Sequence, residues 1–187
     1  MGSDVRTNMI RSAAILFRER GVAGTSLADV VEHSGAPRGS IYHHFPGGKD
    51  QLAQEATRWA AGVMTRMIDR ADDPVALVRR LAGFWRAELG QNFGTSCPVM
   101  AAALAEAEST SAYAAAAEAF TQWETAVADM LIRHGIPSSR AMSTASLMIS
   151  AVEGAVVVAR AQRSLRTLDR VEAELVRLVN HLLVDVA

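Results

Sequence analysis

The sequence predicts an all-α protein of about nine helices, and three observations carry that prediction. Half of the 187 residues are apolar, and aromatics make up only 5%. The apolar share is dominated by Ala, Leu, Val and Met, and Ala, Leu and Met lose little rotamer freedom in a helix. Apolar residues recur at three- and four-residue spacing along most of the chain, while no stretch keeps the alternation of a strand and no internal repeat is visible.

The first helix runs from Asp4 to Arg20, with Ile10, Ala13, Ala14 and Phe17 on one face, and Gly21 stops it. Thr25-Ser26 caps a second helix whose Leu27, Val30 and Val31 point inward; Asp29 lies three residues beyond Ser26 and suits the positive end of that helix. That helix ends near Ser34-Gly35. Pro37 pre-sets the backbone at the start of a third helix, on which Ile41 and Phe45 share the inner face. A long helix follows from Lys49 to about Ala71, carrying Leu52, Ala56, Trp59, Ala60, Val63 and Met67. Asp72-Asp73-Pro74 opens the next, with its stripe at Val75, Val78, Leu81, Ala82, Trp85 and Leu89. Gly90 to Cys97 reads as a loop, and Pro98 restarts a helix through about Glu108. Ala112–His134 is Ala-rich, Ser139–Ala161 is strongly apolar, and Leu168–Val186 has a wide apolar face.

Charge narrows the chemistry. The formal net charge is -1, and residues 1–50 hold six Lys and Arg against five Asp and Glu. Any affinity for nucleic acid must come from a few placed cations. The single cysteine, Cys97, permits no intrachain disulfide and points to a reducing cytoplasm. Its place before Pro98 at a helix start makes a redox role conceivable, although a small apolar packing role is the plainer reading. No signal-peptide pattern opens the chain.

Enzyme motifs fail on inspection. Gly47-Gly48-Lys49 continues with Asp50 and lacks the earlier Gly of a phosphate loop. There is no Gly-x-Ser-x-Gly elbow, no His-Glu-x-x-His and no Glu-x-x-His. Asp29 and His33 stand one helical turn apart, a spacing more ordinary for a solvated pair than for a metal clip. The expectation is therefore no catalysis, no cofactor and no metal.

Ser34–Lys49, SGAPRGSIYHHFPGGK, makes better sense as the turn and second helix of a helix-turn-helix. Gly39 and Ser40 keep the approach to a major groove slim. Arg38 is the side chain able to fork onto guanine O6 and N7. Ser40, Tyr42, His44 and Lys49 can donate to phosphates, as can Thr25 or Ser26 at the preceding helix start, and His43 lies at the edge of the same face.

At Phe17, Gly21, Thr25-Ser26, Leu27-Ala28, Gly35, Gly39, Ile41-Tyr42, His44-Phe45, Lys49 and Leu52 the chain resembles the tetracycline-repressor family of bacterial regulators. The resemblance covers roughly the first 55 residues. GAPRGSIYHHFPGGK together with Cys97-Pro98-Val99 further resembles the subgroup of the lincomycin-resistance operon repressor. The resemblance implies a DNA-binding domain over residues 1–48 and an effector-binding and dimerisation domain over 49–187. It also implies a homodimer paired through the last two helices, a palindromic duplex operator, and release by a small molecule held in the second domain. The nearest alternatives are an activator, a DNA-bound factor without effector, and a helical carrier or enzyme.

For the effector site the middle of the chain offers Met64, Met67, Trp85, Phe93, Met100, Phe120, Trp123 and Met148, with Trp59 and Phe84 beside them. Met and aromatic residues suit an adaptable apolar cavity, although at helical spacing each is first a core residue. With few charged candidates, the expected ligand is flat and mostly apolar. Ala141 to Ala159 is apolar enough to raise a membrane span, but Ser143, Thr144, Ser146, Ser150 and Glu153 interrupt it, and no membrane is expected. For the dimer interface the expectation is Met148, Val152, Ala155, Val156, Leu175, Leu178 and Leu182.

Overall fold

A computed structural model describes residues 2–184. Among these residues there are nine helices and no strand: α1 (Gly2–Arg20), α2 (Leu27–Ser34), α3 (Ile41–His44), α4 (Gly48–Asp69), α5 (Pro74–Gln91), α6 (Pro98–Ala103), α7 (Thr110–Arg133), α8 (Ser138–Gln162) and α9 (Arg166–Val184). The all-α reading holds, and most helix bounds fall within a few residues of those read from periodicity. Val186, expected to end the last helix, lies outside the described residues.

The chain forms two compact units. The first joins residues 1–63 and 97–119; the second joins 64–96 and 120–187. In the first, α1 buries Met9, Ala13, Leu16 and Phe17 and packs on α2 and α6. Val30, Ile41, Phe45 and Leu52 are buried in the same unit. Each such large apolar side chain contributes about 1.5–3 kcal/mol on burial. Arg6 reaches Glu55 at 2.6 Å and lays its guanidinium 5.0 Å from the centre of the Phe45 ring, which seats the end of α3.

In the second unit α5, α8 and α9 pack on one another. Asp73 caps α5 by accepting from the Ala76 amide at 2.8 Å, and Pro74 occupies the first turn where no donor is needed. Arg86 on α5 donates to Asp169 at 2.9 Å and to Glu172 at 2.5 Å on α9. These two carboxylates hold the guanidinium above its already high ordinary pKa. α8 is the one described helix long and apolar enough to cross a membrane, yet it buries Ala141, Ala145, Met148, Val152, Val156 and Ala159 along one side. That is the pattern of a core helix.

Two details depart from the sequence reading. The third helix starts at Ile41, not near Pro37. Gly39 adopts φ +89, a left-handed conformation that ends any helical run, and the Ser40 amide closes a turn on the Pro37 carbonyl at 3.1 Å. The helix after Pro98 stops at Ala103 rather than near Glu108; Glu108 and Ser109 turn back onto the Ala105 carbonyl. By packing, residues 97–119 group with the N-terminal helices.

Candidate nucleic-acid interface

The local chemistry of α2 fixes the approach to α3. The Ser26 hydroxyl accepts from the Asp29 amide at 3.1 Å, and the Asp29 carboxylate accepts from the Ser26 amide at 2.7 Å, completing a capping box. Hydrogen bonds from Ser26, together with the charges of Arg20 and Lys49, hold the Asp29 carboxyl below its ordinary pKa. At the other end Gly35 takes φ 67, and its amide and that of Ala36 close onto the Glu32 and Val31 carbonyls at 3.2 Å each. The chain therefore turns sharply and returns alongside α2.

Between the two segments lies an open groove of about 610 Å³, with Leu27, Ala28, Val31 and Glu32 on the α2 side and Arg38, Gly39, Ile41 and Tyr42 on the other. Ile41 is 5% exposed and anchors α3 inward, while Tyr42 on the next position is 65% exposed. Arg38 and His43 are also exposed, and His44 is half-buried with its ring edge-on to His43 at 5.2 Å. The result is a short, slim projection with an extended cation, a phenol and two imidazoles at its surface. Lys49, half-buried in the first turn of α4, sits where free helix amides add to its charge. Arg20, 3.9 Å from Asp29, is a second flanking cation that sequence reading passed over.

Three expected donors are committed elsewhere. Thr25 is 1% exposed and its hydroxyl donates to the Gly21 carbonyl at 2.9 Å, so it locks the α1–α2 turn rather than facing solvent. The Ser40 hydroxyl donates to the Pro37 carbonyl at 2.7 Å and rigidifies the turn that presents Arg38. Ser26 likewise spends its hydroxyl on Asp29. Arg38 itself stands on that turn, ahead of α3, because Gly39 delays the helix.

One contact of this unit escaped sequence reading. Asp50, next to Lys49, accepts from the Ser109 hydroxyl at 2.6 Å and the Ser111 amide at 3.3 Å. Ser109 in turn caps α7 by accepting from the Ala112 amide at 3.1 Å. Ser109 first, and Ser111 after it, hold the Asp50 carboxyl below its usual range. The partners are far apart in sequence, so no local pattern announced the contact.

Of the residues expected around an effector, Met64, Trp85, Trp123 and Met148 are buried, and Met67, Phe93 and Phe120 are half-buried, all in the second unit. Phe120 is edge-on to Trp123 at 5.2 Å and Phe84 edge-on to Trp85 at 5.1 Å. Met100 and Trp59 belong to the first unit. The residues expected at a dimer interface lie mostly inside the single chain. Met148, Val152, Ala155, Val156, Leu175 and Leu182 are 6% exposed or less within the chain itself, because they form the inner faces of α8 and α9. Leu178 is half-buried; with Leu147, Ala151 and Leu175 it lines a groove of about 400 Å³. One outer stripe of α8 carries Leu147, Gly154 and Val158, which are exposed, and Ala151, which is half-buried. Among the described residues, no three His, Cys, Asp or Glu gather as a metal site.

The profile for bacterial regulatory proteins of the tetR family matches residues 9–56. The one for the C-terminal domain of LmrA/YxaF-like transcriptional regulators matches 74–174. The chain belongs to the tetR family, in its LmrA/YxaF-like branch. An uncharacterised HTH-type transcriptional regulator of Mycobacterium tuberculosis is 39% identical over 177 residues, 91% of each chain. The HTH-type transcriptional regulator LmrA of Bacillus subtilis is 30% identical over 165 residues, 83% of this chain and 86% of that one. A TetR transcriptional regulator from Chloroflexus aurantiacus superposes with a TM-score of 0.78 at 24% identity, over 96% of both chains, a likeness of fold. This tetR-family chain is a transcriptional regulator and not an enzyme.

Proposed function

We propose that this regulator is a cytoplasmic homodimeric repressor that binds a palindromic operator and leaves it when a small, mostly apolar molecule enters the C-terminal domain. The observation that carries the DNA-binding half is the groove between α2 and α3, with Arg38 and Tyr42 exposed on its rim and Lys49 and Arg20 flanking it. Arg38 reads guanine; Tyr42, His43, His44 and Lys49 hold the backbone. Residues 1–48 perform this task and 49–187 hold the effector and the partner.

Pairing is needed because the chain is near neutral and one copy offers few phosphate contacts. The stripe Leu147, Ala151, Gly154 and Val158 is the surface that supports an isologous contact. A Cβ added at Gly154 would meet nothing within 4 Å in the single chain, so no packing in its own subunit calls for glycine there. Close approach of a second helix supplies that reason.

The experiment is selection of bound duplexes from fragmented genomic DNA by the purified protein. Recovered sites should share an inverted repeat whose half-sites lie about one helical turn apart, roughly 34 Å, or a multiple of it. Recovery of unrelated sequences would contradict the reading.

A further inference from the structure

The turn between α3 and α4 has almost no side chains of its own to hold it. It runs Pro46-Gly47-Gly48, with Pro46 and Gly47 exposed and Gly48 at φ +65. Ordering a glycine pair costs more backbone entropy than ordering any other pair, so such a turn keeps one place only when something outside grips it. Lys49 follows it directly, and a shift of the turn carries that ammonium with it.

A chain of polar contacts supplies the grip. The Gly47 amide donates to Gln51 Oε1 at 2.8 Å, and Gln51 Nε2 donates to Glu55 Oε1 at 3.0 Å, one helical turn further along α4. Glu55 accepts from Arg6 of α1 at 2.6 Å, and that guanidinium lies 5.0 Å from the ring centre of Phe45, fully buried just before the turn. The contacts thus leave the turn, pass down α4 to α1 and return to the residue that precedes the turn. Gly47 runs so close that a Cβ there would stand 3.0 Å from the Gln51 Cβ. On the other side Asp50 ties the same helical turn to Ser109 and Ser111, as described above. Stability is a weak reason for the first of these bonds. The Gly47 amide is on the surface, where water satisfies it nearly as well as Gln51 does. What Gln51 adds there is position.

We propose that Gln51 and Glu55 are positioning residues for the phosphate contact of Lys49: they hold the Pro46–Gly48 turn so that the ammonium meets the duplex backbone at a fixed place. The inference rests on the reading of Lys49 as a backbone contact and adds the residues that make this contact possible. Charge and position predict opposite signs at Glu55. Removing a carboxylate from a DNA-binding unit raises its affinity for a polyanion if charge alone decides. If Glu55 acts by bracing Gln51, its removal lowers affinity instead.

The test uses the full chain and a fluorescein-labelled duplex of arbitrary sequence, with binding read by anisotropy across a salt series. Gln51→Met keeps the length and charge of the side chain and removes its amide. It should flatten the slope of log K against log salt by about 0.9 per subunit, as Lys49→Ala does. Glu55→Met should weaken binding, against the sign of its charge change. Lys49→Ala combined with Gln51→Met should bind within about twofold of Lys49→Ala alone, because a contact already removed cannot be misplaced. A role confined to stability would lower the melting temperature of Gln51→Met and leave its salt slope native. That result, tighter binding by Glu55→Met, or losses that multiply in the double variant overturns the positioning role and leaves Lys49 as a phosphate contact. Native affinity and slope in Lys49→Ala overturn the contact and the positioning role together.

Discussion

At the scale of single residues, function rests on how side chains divide their hydrogen bonds between the fold and the solvent. Thr25, Ser26 and Ser40 spend their hydroxyls on Gly21, Asp29 and Pro37, so they shape the interface. Arg38 and Tyr42 stay exposed, and Lys49 is half-buried. Residue types alone could not separate these roles, since a Ser at a helix start serves a cap or a phosphate equally well. Lys49 is a backbone contact in this account, not a base reader. Lys49→Ala should weaken binding to all duplexes alike and flatten the slope of log K against log salt by about 0.9 per subunit. Fluorescence anisotropy across a salt series measures both, and loss of affinity for one sequence alone would reassign the residue.

At the scale of elements, the local signals carried most of the fold. The Gly21 stop, the Ser26 cap and the Asp73-Pro74 start all stand where the pattern placed them, because caps are decided by neighbouring residues. Where the reading slipped, a backbone conformation or a distant contact had decided the outcome. Gly39 at φ +89 shortened α3, which a helical pattern with Pro37 at its start could not disclose. The Asp50–Ser109 contact joins elements distant in sequence. That contact makes a pH-dependent prediction. A carboxyl whose folded pKa lies below its free value of 3.8 contributes stability that is complete above that value and lost as the pH falls through the lower one. Asp50→Asn should therefore cost about 1 kcal/mol at neutral pH and make the acid limb of the stability curve shallower. Urea melts from pH 7 downward test this; parallel curves for the two proteins would count against it.

At the scale of the molecule, the apolar residues of α8 and α9 were legible as a periodic set, but which side each would face was not. Periodicity marks a helix as amphipathic without saying whether a stripe meets its own subunit or another. The inner set, from Met148 to Leu182, is covered within the chain, while on the outer stripe Leu147, Gly154 and Val158 are exposed and Ala151 is half-buried, the surface proposed above for a second copy. Leu147, 50% exposed in the single chain, is the site to test. Leu147→Glu should leave the helical signal and melting of the subunit nearly unchanged while shifting sedimentation at micromolar concentration from dimer to monomer. A dimer that survives this substitution would place the interface elsewhere.

The central claim is that two copies of the α2–α3 groove read DNA, with Arg38 as the residue that discriminates bases. Selection of random duplexes by the native protein and by Arg38→Ala measures it most directly. The native protein should return an inverted repeat with a guanine fixed in each half-site. The variant should bind duplex DNA with that preference lost, a cost of roughly 1–3 kcal/mol in discrimination at that base pair. The same consensus from both proteins would contradict the account.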